Sequence, residues 1–219
     1  METIKKLQNE AVQFLTKSKL VLNGIDILPK EIEVYYYEVN GSFKDGSVHQ
    51  NELQKNNKNH FYVHRWGKTK KDKYKGINRA GIDFVVSDNE NVYYSYLIRS
   101  AQINGNMVIG PNKVLRSVLE ASKLSNDKLE SAKIEIVPVN NSFDVLFSNR
   151  INLGENAGKY LDNKLRAVLC DDLYRGNKYP AKEKMITDFL LSQKMAKEQK
   201  LLFAKEKLGY VPSVIRQLV

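Results

Sequence analysis

Residues 33–49, EVYYYEVNGSFKDGSVH, form the stretch of sequence that decides the fold. Its β-branched and aromatic run predicts a strand over residues 31–39. Glu38 lies at the end of that strand, and a glycine-containing turn then leads to Asp45 and His49, the latter eleven residues after Glu38. A strand that delivers a carboxylate to the edge of a histidine-bearing loop suits general-base chemistry on water.

Composition favours one folded domain with an anionic partner. The chain has 219 residues, of which 42% are hydrophobic, and this is enough to bury a sizeable core. Its net charge of +10 suits nucleic acid or an acidic membrane surface. The single cysteine, Cys170, excludes an intramolecular disulfide framework and a cysteine-rich zinc site. We expect a cytoplasmic, nucleoid-associated protein, because no signal peptide and no membrane-spanning apolar run is evident.

The predicted elements alternate short strands with a few helices. Helices are predicted over residues 3–18, 111–121 and 182–207, and strands over residues 19–23, 31–39, 82–86, 92–98, 133–139, 143–147 and 165–169. This order predicts an α+β fold, with a curved, mainly antiparallel sheet surrounded by helices. We expect one domain over residues 1–180 and a C-terminal extension over residues 181–219, packed on the same domain as one long charged helix.

Residues 50–80 form a basic segment with interleaved aromatic side chains. It contains nine Lys and Arg residues against two acidic residues, a net charge of +7 (9 − 2). Cations suit the phosphates of a duplex, and a planar side chain can wedge between bases. The alternative interpretation is a solvated basic loop whose Phe61 and Trp66 are buried in the core.

Four blocks in order resemble the alkyladenine (3-methyladenine) DNA glycosylases. Residues 11–24, AVQFLTKSKLVLNG, resemble the first helix and strand of that family, and residues 38–49, EVNGSFKDGSVH, resemble its catalytic block. Residues 96–106, YLIRSAQINGN, with residues 110–119, GPNKVLRSVL, resemble a strand, turn and helix of the family. Residues 150–169, RINLGENAGKYLDNKLRAVL, resemble its C-terminal block, so the resemblance covers most of residues 11–170.

The resemblance implies a monomer that binds double-stranded DNA, inserts a side chain and flips an alkylated or deaminated purine into a pocket. A glutamate then activates the water that attacks the sugar carbon, with no metal, no cofactor and no covalent lysine intermediate. Glu38 is the expected general base, and Arg99 would lie beside the attacking water or the phosphate. His49 would bond the flipped nucleotide, and Asp83 occupies roughly the place of an asparagine that discriminates purines.

The chain departs from the family pattern at two places. The family has an aromatic residue two positions after its glutamate, whereas this chain has Asn40 in that part of the base pocket. A base–aromatic stack contributes about 1–3 kcal/mol, so this change bears on substrate choice and on activity. Residues 60–67, HFYVHRWG, resemble the intercalating hairpin, which makes Trp66 the expected wedge and Tyr62 the second candidate. The expected phosphate-binding residues nearby are Arg65, Lys68, Lys70 and Lys71.

Other interpretations remain open from the residues. A catalytically inactive DNA-binding relative explains Asn40 and the altered hairpin, and Arg99 also suits a plain salt bridge. A membrane-surface or protein-binding module is less favoured, because no basic amphipathic helix stands apart from the core. His60 and His64 lie four residues apart without an evident third ligand, so no metal site is predicted.

Overall fold

The structure is a computed structural model that describes residues 2–76, 78–170 and 180–217. The predicted α+β class is confirmed. Within the described residues, the strands form an antiparallel sheet that curls into a half-barrel, and several helices accompany it. All of these helices are too short or too polar to cross a bilayer.

The predicted strands occur in the predicted order, and the structure adds two short strands and two short helices that were not predicted. The strands are β1 (Ser18–Leu22), β2 (Ile25–Glu38), β3 (Phe61–Val63), β4 (Ile82–Val85), β5 (Val92–Ile103), β6 (Asn106–Ile109), β7 (Glu135–Pro138), β8 (Val145–Ser148) and β9 (Arg166–Leu169). The helices are α1 (Glu2–Lys17), α2 (Pro111–Ser122), α3 (Asn126–Ser131), α4 (Pro180–Ser192), α5 (Lys197–Leu208) and α6 (Ser213–Gln217). The predictions for α1, β1 and α2 are confirmed to within one residue at each end.

The long strands β2 and β5 form the centre of the sheet. Its main path runs β3-β4-β5-β2-β1-β7, with β6 beside β5, β9 beside β2 and β8 beside β9. β2 begins six residues earlier than predicted and continues through Pro29. The β2–β5 register shifts between Pro29 and Ile32. A proline has no backbone N–H for the ladder, so an irregularity of this kind is where a strand tolerates one.

The two faces of β2 differ in chemistry. Ile32 and Val34 belong to the main hydrophobic core, which also contains Leu7 and Leu15 of α1. Glu33 lies between these two apolar residues in the chain and is fully buried. Successive side chains of a strand point to opposite faces. The sheet therefore has an apolar face under α1 and a second face that buries polar groups.

The prediction of one long C-terminal helix over residues 182–207 is wrong. The chain forms α4 and α5, separated at residues 193–196, and Ala196 at the start of α5 has extended backbone angles (φ −62°, ψ 154°). The break lets Ile186 and Ala204, on different helices, join one small core with Leu146 of β8 and Val168 of β9. Burial of both helices against the strands explains why a continuous charged helix is not formed.

Candidate functional site

The side chains of β2 place Glu33 and Glu38 on opposite faces of the sheet. Tyr35 donates a hydrogen bond to Glu33 across 3.0 Å, and Tyr36 donates one to Glu38 across 2.9 Å. Each pair is two residues apart and therefore shares a face of the strand, while the two pairs lie on opposite faces. Glu38 consequently lies on the α1 side of the sheet, and Glu33 lies on the polar side.

Glu38 lines a cleft between α1 and the sheet. The cleft has a volume of about 460 Å³, and its walls include Glu10, Tyr94 and Asp88. The backbone N–H of Phe43 donates to the Glu38 carboxylate across 3.1 Å and is the main cause of its lowered pKa. His49 and Arg99 are absent from the lining of this cleft. The structure therefore does not bring Glu38 together with its two predicted partners.

Asn40 also lies away from His49. Its side chain is exposed and donates to the Asn91 side-chain oxygen across 3.1 Å. Asn40 lines neither the α1 cleft nor the cavity that contains His49. The sequence-based place of Asn40 in a base pocket is not supported by this geometry.

A small cavity on the polar face brings His49 and Asp83 together. Its volume is about 40 Å³, which is enough for a few water molecules. The residues that line it are Tyr35, Ser47, His49, Gln54, His64 and Asp83. We call this space the polar cavity. Two of the three predicted base-pocket residues therefore line one cavity, together with Tyr35 of β2.

Asp83 places a fixed negative charge at the polar cavity. Burial alone would raise the pKa of its carboxyl, but the His64 imidazole at 2.7 Å holds that pKa below its ordinary value. Gln54 and Ser95 donate to its second oxygen across 2.9 and 2.8 Å. Both carboxylate oxygens are thus hydrogen-bonded, and the cavity presents acceptors and donors in fixed positions.

His49 is neutral at physiological pH. Burial lowers its pKa from 6.5 to about 3, and the neighbouring His64 adds to the decrease. Its Nδ1 lies 3.3 Å from the Tyr62 hydroxyl, and its Nε2 lies 2.7 Å from Nζ of Lys75. Both nitrogens of the neutral imidazole are therefore bonded to protein groups, which fixes the orientation of the ring at the cavity.

We expect this buried neutral histidine to make the protein less stable in acid. The unfolded chain takes up a proton below pH 6.5, whereas folded His49 does not until about pH 3. The contribution of neutral His49 to the free energy of unfolding is therefore fully present above pH 6.5. It falls by about 1.4 kcal/mol per pH unit from pH 6.5 down to about pH 3. Urea unfolding of the wild type and of His49→Gln at pH 7 and pH 5 measures this. The stability lost on acidification is expected to be smaller by about 2 kcal/mol in the variant.

His60→Gln is the matched control. The His60 ring lies 3.0 Å from the Lys58 carbonyl and does not line the polar cavity. We expect His60→Gln to retain the wild-type difference in stability between the two pH values. Equal pH dependence in the wild type and in His49→Gln would contradict the neutral state of His49.

Arg99 meets Glu33 instead of Glu38. One guanidinium nitrogen lies 3.3 Å from Glu33 Oε1, and Nε donates to Glu31 across 3.1 Å. Arg166 of β9 donates to the same Glu31 oxygen across 2.6 Å. The alternative salt-bridge interpretation of Arg99 is therefore confirmed, in a buried network of two acids and two arginines, and its role beside an attacking water stays a prediction.

Glu33 is the residue that sequence reasoning missed. Its carboxylate is fully buried and accepts from Tyr35 and from the backbone N–H of Ile151, the latter across 3.0 Å. Tyr35 in turn lines the polar cavity beside His49. The available signal was a glutamate followed two positions later by an aromatic residue, which the chain contains at Glu33 and Tyr35.

Trp66 lies at the surface of the basic segment. The side chain is 59% exposed, which excludes the interpretation that it is buried in the core. Nζ of Lys75 and the guanidinium of Arg79 lie 5.8 and 5.4 Å from its ring centroid. Lys75 also contacts His49, so one lysine connects the cavity with the exposed ring.

The predicted phosphate-binding residues divide into two groups. Lys68, Lys70 and Lys71 are exposed, as a DNA-contacting role requires. Arg65 is buried, forms an ion pair with Glu130 and lies 3.8 Å from the Tyr74 ring centroid. The structure therefore argues against Arg65 as a phosphate ligand, because it holds the residue inside the fold.

Tyr62 is also unsuited to the surface role considered for it. Its side chain is fully buried, and its hydroxyl contacts His49 and the backbone N–H of Arg65. The strand β3 places Tyr62 on the polar face opposite Asp83 in the ladder. Tyr62 therefore contacts His49 inside the fold. Trp66 is the exposed aromatic residue among the described residues of the basic segment.

Among residues 2–76, 78–170 and 180–217, no group of three or more His, Cys, Asp or Glu side chains could hold a metal ion. The side chains that line the polar cavity include two histidines, one aspartate and one tyrosine. The sequence as a whole matches no family model, and no curated protein matches it.

Proposed function

We propose that the chain is a DNA glycosylase, which flips a damaged purine out of duplex DNA and hydrolyses its N-glycosidic bond. One observation carries the proposal. The polar cavity, lined by Tyr35 and His49, is connected through Lys75 to the exposed Trp66 on a basic segment. An aromatic wedge next to a pocket, within a positive surface, is the combination that base flipping requires.

Glu33 is the carboxylate best placed to activate water. It lies beside Arg99, and Tyr35 follows it by two positions on the same face of β2. This spacing matches the family pattern of a glutamate followed two residues later by an aromatic that stacks on the base. If Glu33 activates the water, the residue two positions later is Tyr35, which supplies the aromatic of the family pattern. Asn40 then no longer occupies the place of that aromatic residue.

The walls of the polar cavity suit a flipped purine. Tyr35 offers an aromatic surface for stacking, worth about 1–3 kcal/mol for a base. The Asp83–His64 pair offers hydrogen bonds to polar ring edges, and neutral His49 offers one where the base displaces Lys75 from Nε2. Since the cavity has a volume of only about 40 Å³, entry of a base requires side chains to move apart.

The test is release of free base from duplex oligonucleotides that carry one 3-methyladenine or one hypoxanthine. We expect the wild-type protein to release the damaged base and to leave the matched undamaged duplex intact. Chromatography of the free base separates hydrolysis of the glycosidic bond from strand cleavage. Failure to release any damaged purine, by protein that binds the duplex, contradicts the proposed activity.

The small volume of the polar cavity also favours a second function, that of a catalytically inactive DNA-binding protein. In this case the basic segment binds duplex DNA and the cavity stays closed. Binding would weaken steeply with salt, because each lysine–phosphate contact releases counterions. Salt-sensitive binding without base release selects this function, whereas base release selects the glycosylase.

A further inference from the structure

Lys75 contacts His49, one of the residues that line the polar cavity. Its Nζ lies 2.7 Å from His49 Nε2 and 5.8 Å from the centroid of the exposed Trp66 ring. Within the part of the chain that the structure describes, His49 is the only hydrogen-bond partner of this nitrogen, and no carboxylate pairs with it. Lys75 differs in this from an ordinary surface lysine, because its nitrogen lies between a buried imidazole and the DNA-facing surface.

The surrounding hydrogen bonds favour a neutral amine at Lys75. The Tyr62 hydroxyl accepts from the Arg65 N–H across 3.2 Å, and His49 Nδ1 is its other hydrogen-bond partner in the described chain. The buried hydroxyl proton therefore points to Nδ1, which leaves the imidazole proton on Nε2. Nε2–H then donates to Nζ of Lys75, and a lysine nitrogen accepts a hydrogen bond only when it is unprotonated.

The electrostatic surroundings act in the same direction. Burial lowers the pKa of Lys75, and the positive charge of Arg79 lowers it further, against the opposing effect of Asp83. The other charged or titratable groups near this nitrogen are His49, which is neutral, and His64, which is paired with Asp83. A lysine with a reduced pKa has a larger share of the nucleophilic amine at neutral pH.

We propose that Lys75 is a nucleophile that forms a Schiff base with the aldehyde of an abasic deoxyribose in DNA. This activity rests on the proposed function for its substrate, because base excision leaves the abasic sugar at the same cavity. It adds a covalent step that the family resemblance does not include. Trp66 beside Lys75 places a DNA-contacting ring next to the reacting nitrogen.

The chemistry needs no co-reactant. The lone pair of Nζ attacks C1′ of the ring-opened sugar, and the carbinolamine loses one water molecule to give the imine. Nζ no longer accepts from His49, so the imidazole can take the C2′ proton after a change of tautomer. Once the imine nitrogen has taken a proton from solvent, the C2′–H electrons form the C1′=C2′ double bond of an enamine and the C=N electron pair moves to Nζ. The Nζ lone pair then re-forms the C=N bond, the double bond moves to C2′=C3′, and the 3′-phosphate leaves as the C3′–O bond breaks.

The experiment uses the full chain and a duplex with one preformed abasic site. Sodium borohydride reduces the imine to a stable amine, so protein and DNA migrate together on a denaturing gel. We expect a covalent adduct with the wild type and loss of that adduct in Lys75→Ala and in Lys75→Arg. Lys75→Arg keeps the positive charge, which separates the loss of a nucleophile from the loss of a phosphate contact.

Lys73→Ala is the matched control, since Lys73 is exposed on the same segment and has no contact with His49. It is expected to form the adduct at the wild-type level. Absence of an adduct with the wild type overturns the proposal, and so does an adduct that persists in Lys75→Ala. Because the abasic site is preformed, adduct formation requires no base excision, so failure of this proposal is distinguishable from failure of the proposed glycosylase activity.

Discussion

Replacement of Glu33 by glutamine is expected to slow release of the damaged base by about 10²–10⁴-fold. The change removes the negative charge that activates water in the proposed reaction, but it keeps the size of the side chain and its place beside Tyr35 and Arg99. The expected loss corresponds to about 3–5 kcal/mol of transition-state stabilisation. Single-turnover release of free base from a damaged duplex, with protein in excess, measures the chemical step.

Glu38→Gln is the matched control for this variant. It is the same chemical change on the same strand, five residues later and on the opposite face. We expect Glu38→Gln to release base at the wild-type rate. Thermal unfolding and duplex binding of both variants identify any loss that comes from misfolding. If Glu33→Gln releases base at the wild-type rate and Glu38→Gln does not, the catalytic residue is Glu38 and the role proposed for Glu33 is wrong.

Arg65→Met is expected to lower the free energy of unfolding by about 3–5 kcal/mol. Arg65 connects β3 to α3 through its buried ion pair with Glu130, and it also donates to the Asp72 carbonyl across 2.8 Å. Removal of the guanidinium leaves the Glu130 carboxylate buried without its cation. Urea unfolding, monitored by circular dichroism, measures the change.

Lys68→Met separates stability from DNA binding. Lys68 is exposed and lies three residues from Arg65 in the same segment. We expect its replacement to change stability by no more than about 0.5 kcal/mol. We expect it also to reduce the slope of log affinity against log salt by about 1. A stable Arg65→Met protein that has lost DNA affinity would instead support the surface role predicted for Arg65 from sequence.

The local elements follow from local residue patterns. The apolar spacing of α1 and the proline at the start of α2 predict both helices, because a helix buries one face and starts at a few recognisable residue types. The C-terminal helices were harder to predict. Their apolar residues are sparse among charges, and the break before α5 depends on contacts with β8 and β9, far away in sequence.

The orientation of side chains in the basic segment could not be predicted from the local sequence. Its charge and its aromatic residues are evident in the sequence, and they predict a surface for an anionic partner. The sequence does not show which aromatic is exposed. Tyr62 is buried against His49, Arg65 pairs with a residue of α3, and Trp66 alone of the three projects outward. These orientations depend on tertiary partners up to 65 residues away.

The sequence by itself determined the α+β class, the central strand β2 and the positive segment, because these depend on composition and on short-range periodicity. Only the tertiary structure decided which glutamate of β2 lies on the same face of the sheet as the polar cavity. Both faces of this strand contain a tyrosine and a glutamate, so an alternation of period two does not distinguish them. Helix α1 packs on the Glu38 side of β2, whereas Glu33 lies on the other side, where it bonds to Arg99 and to Tyr35 of the polar cavity.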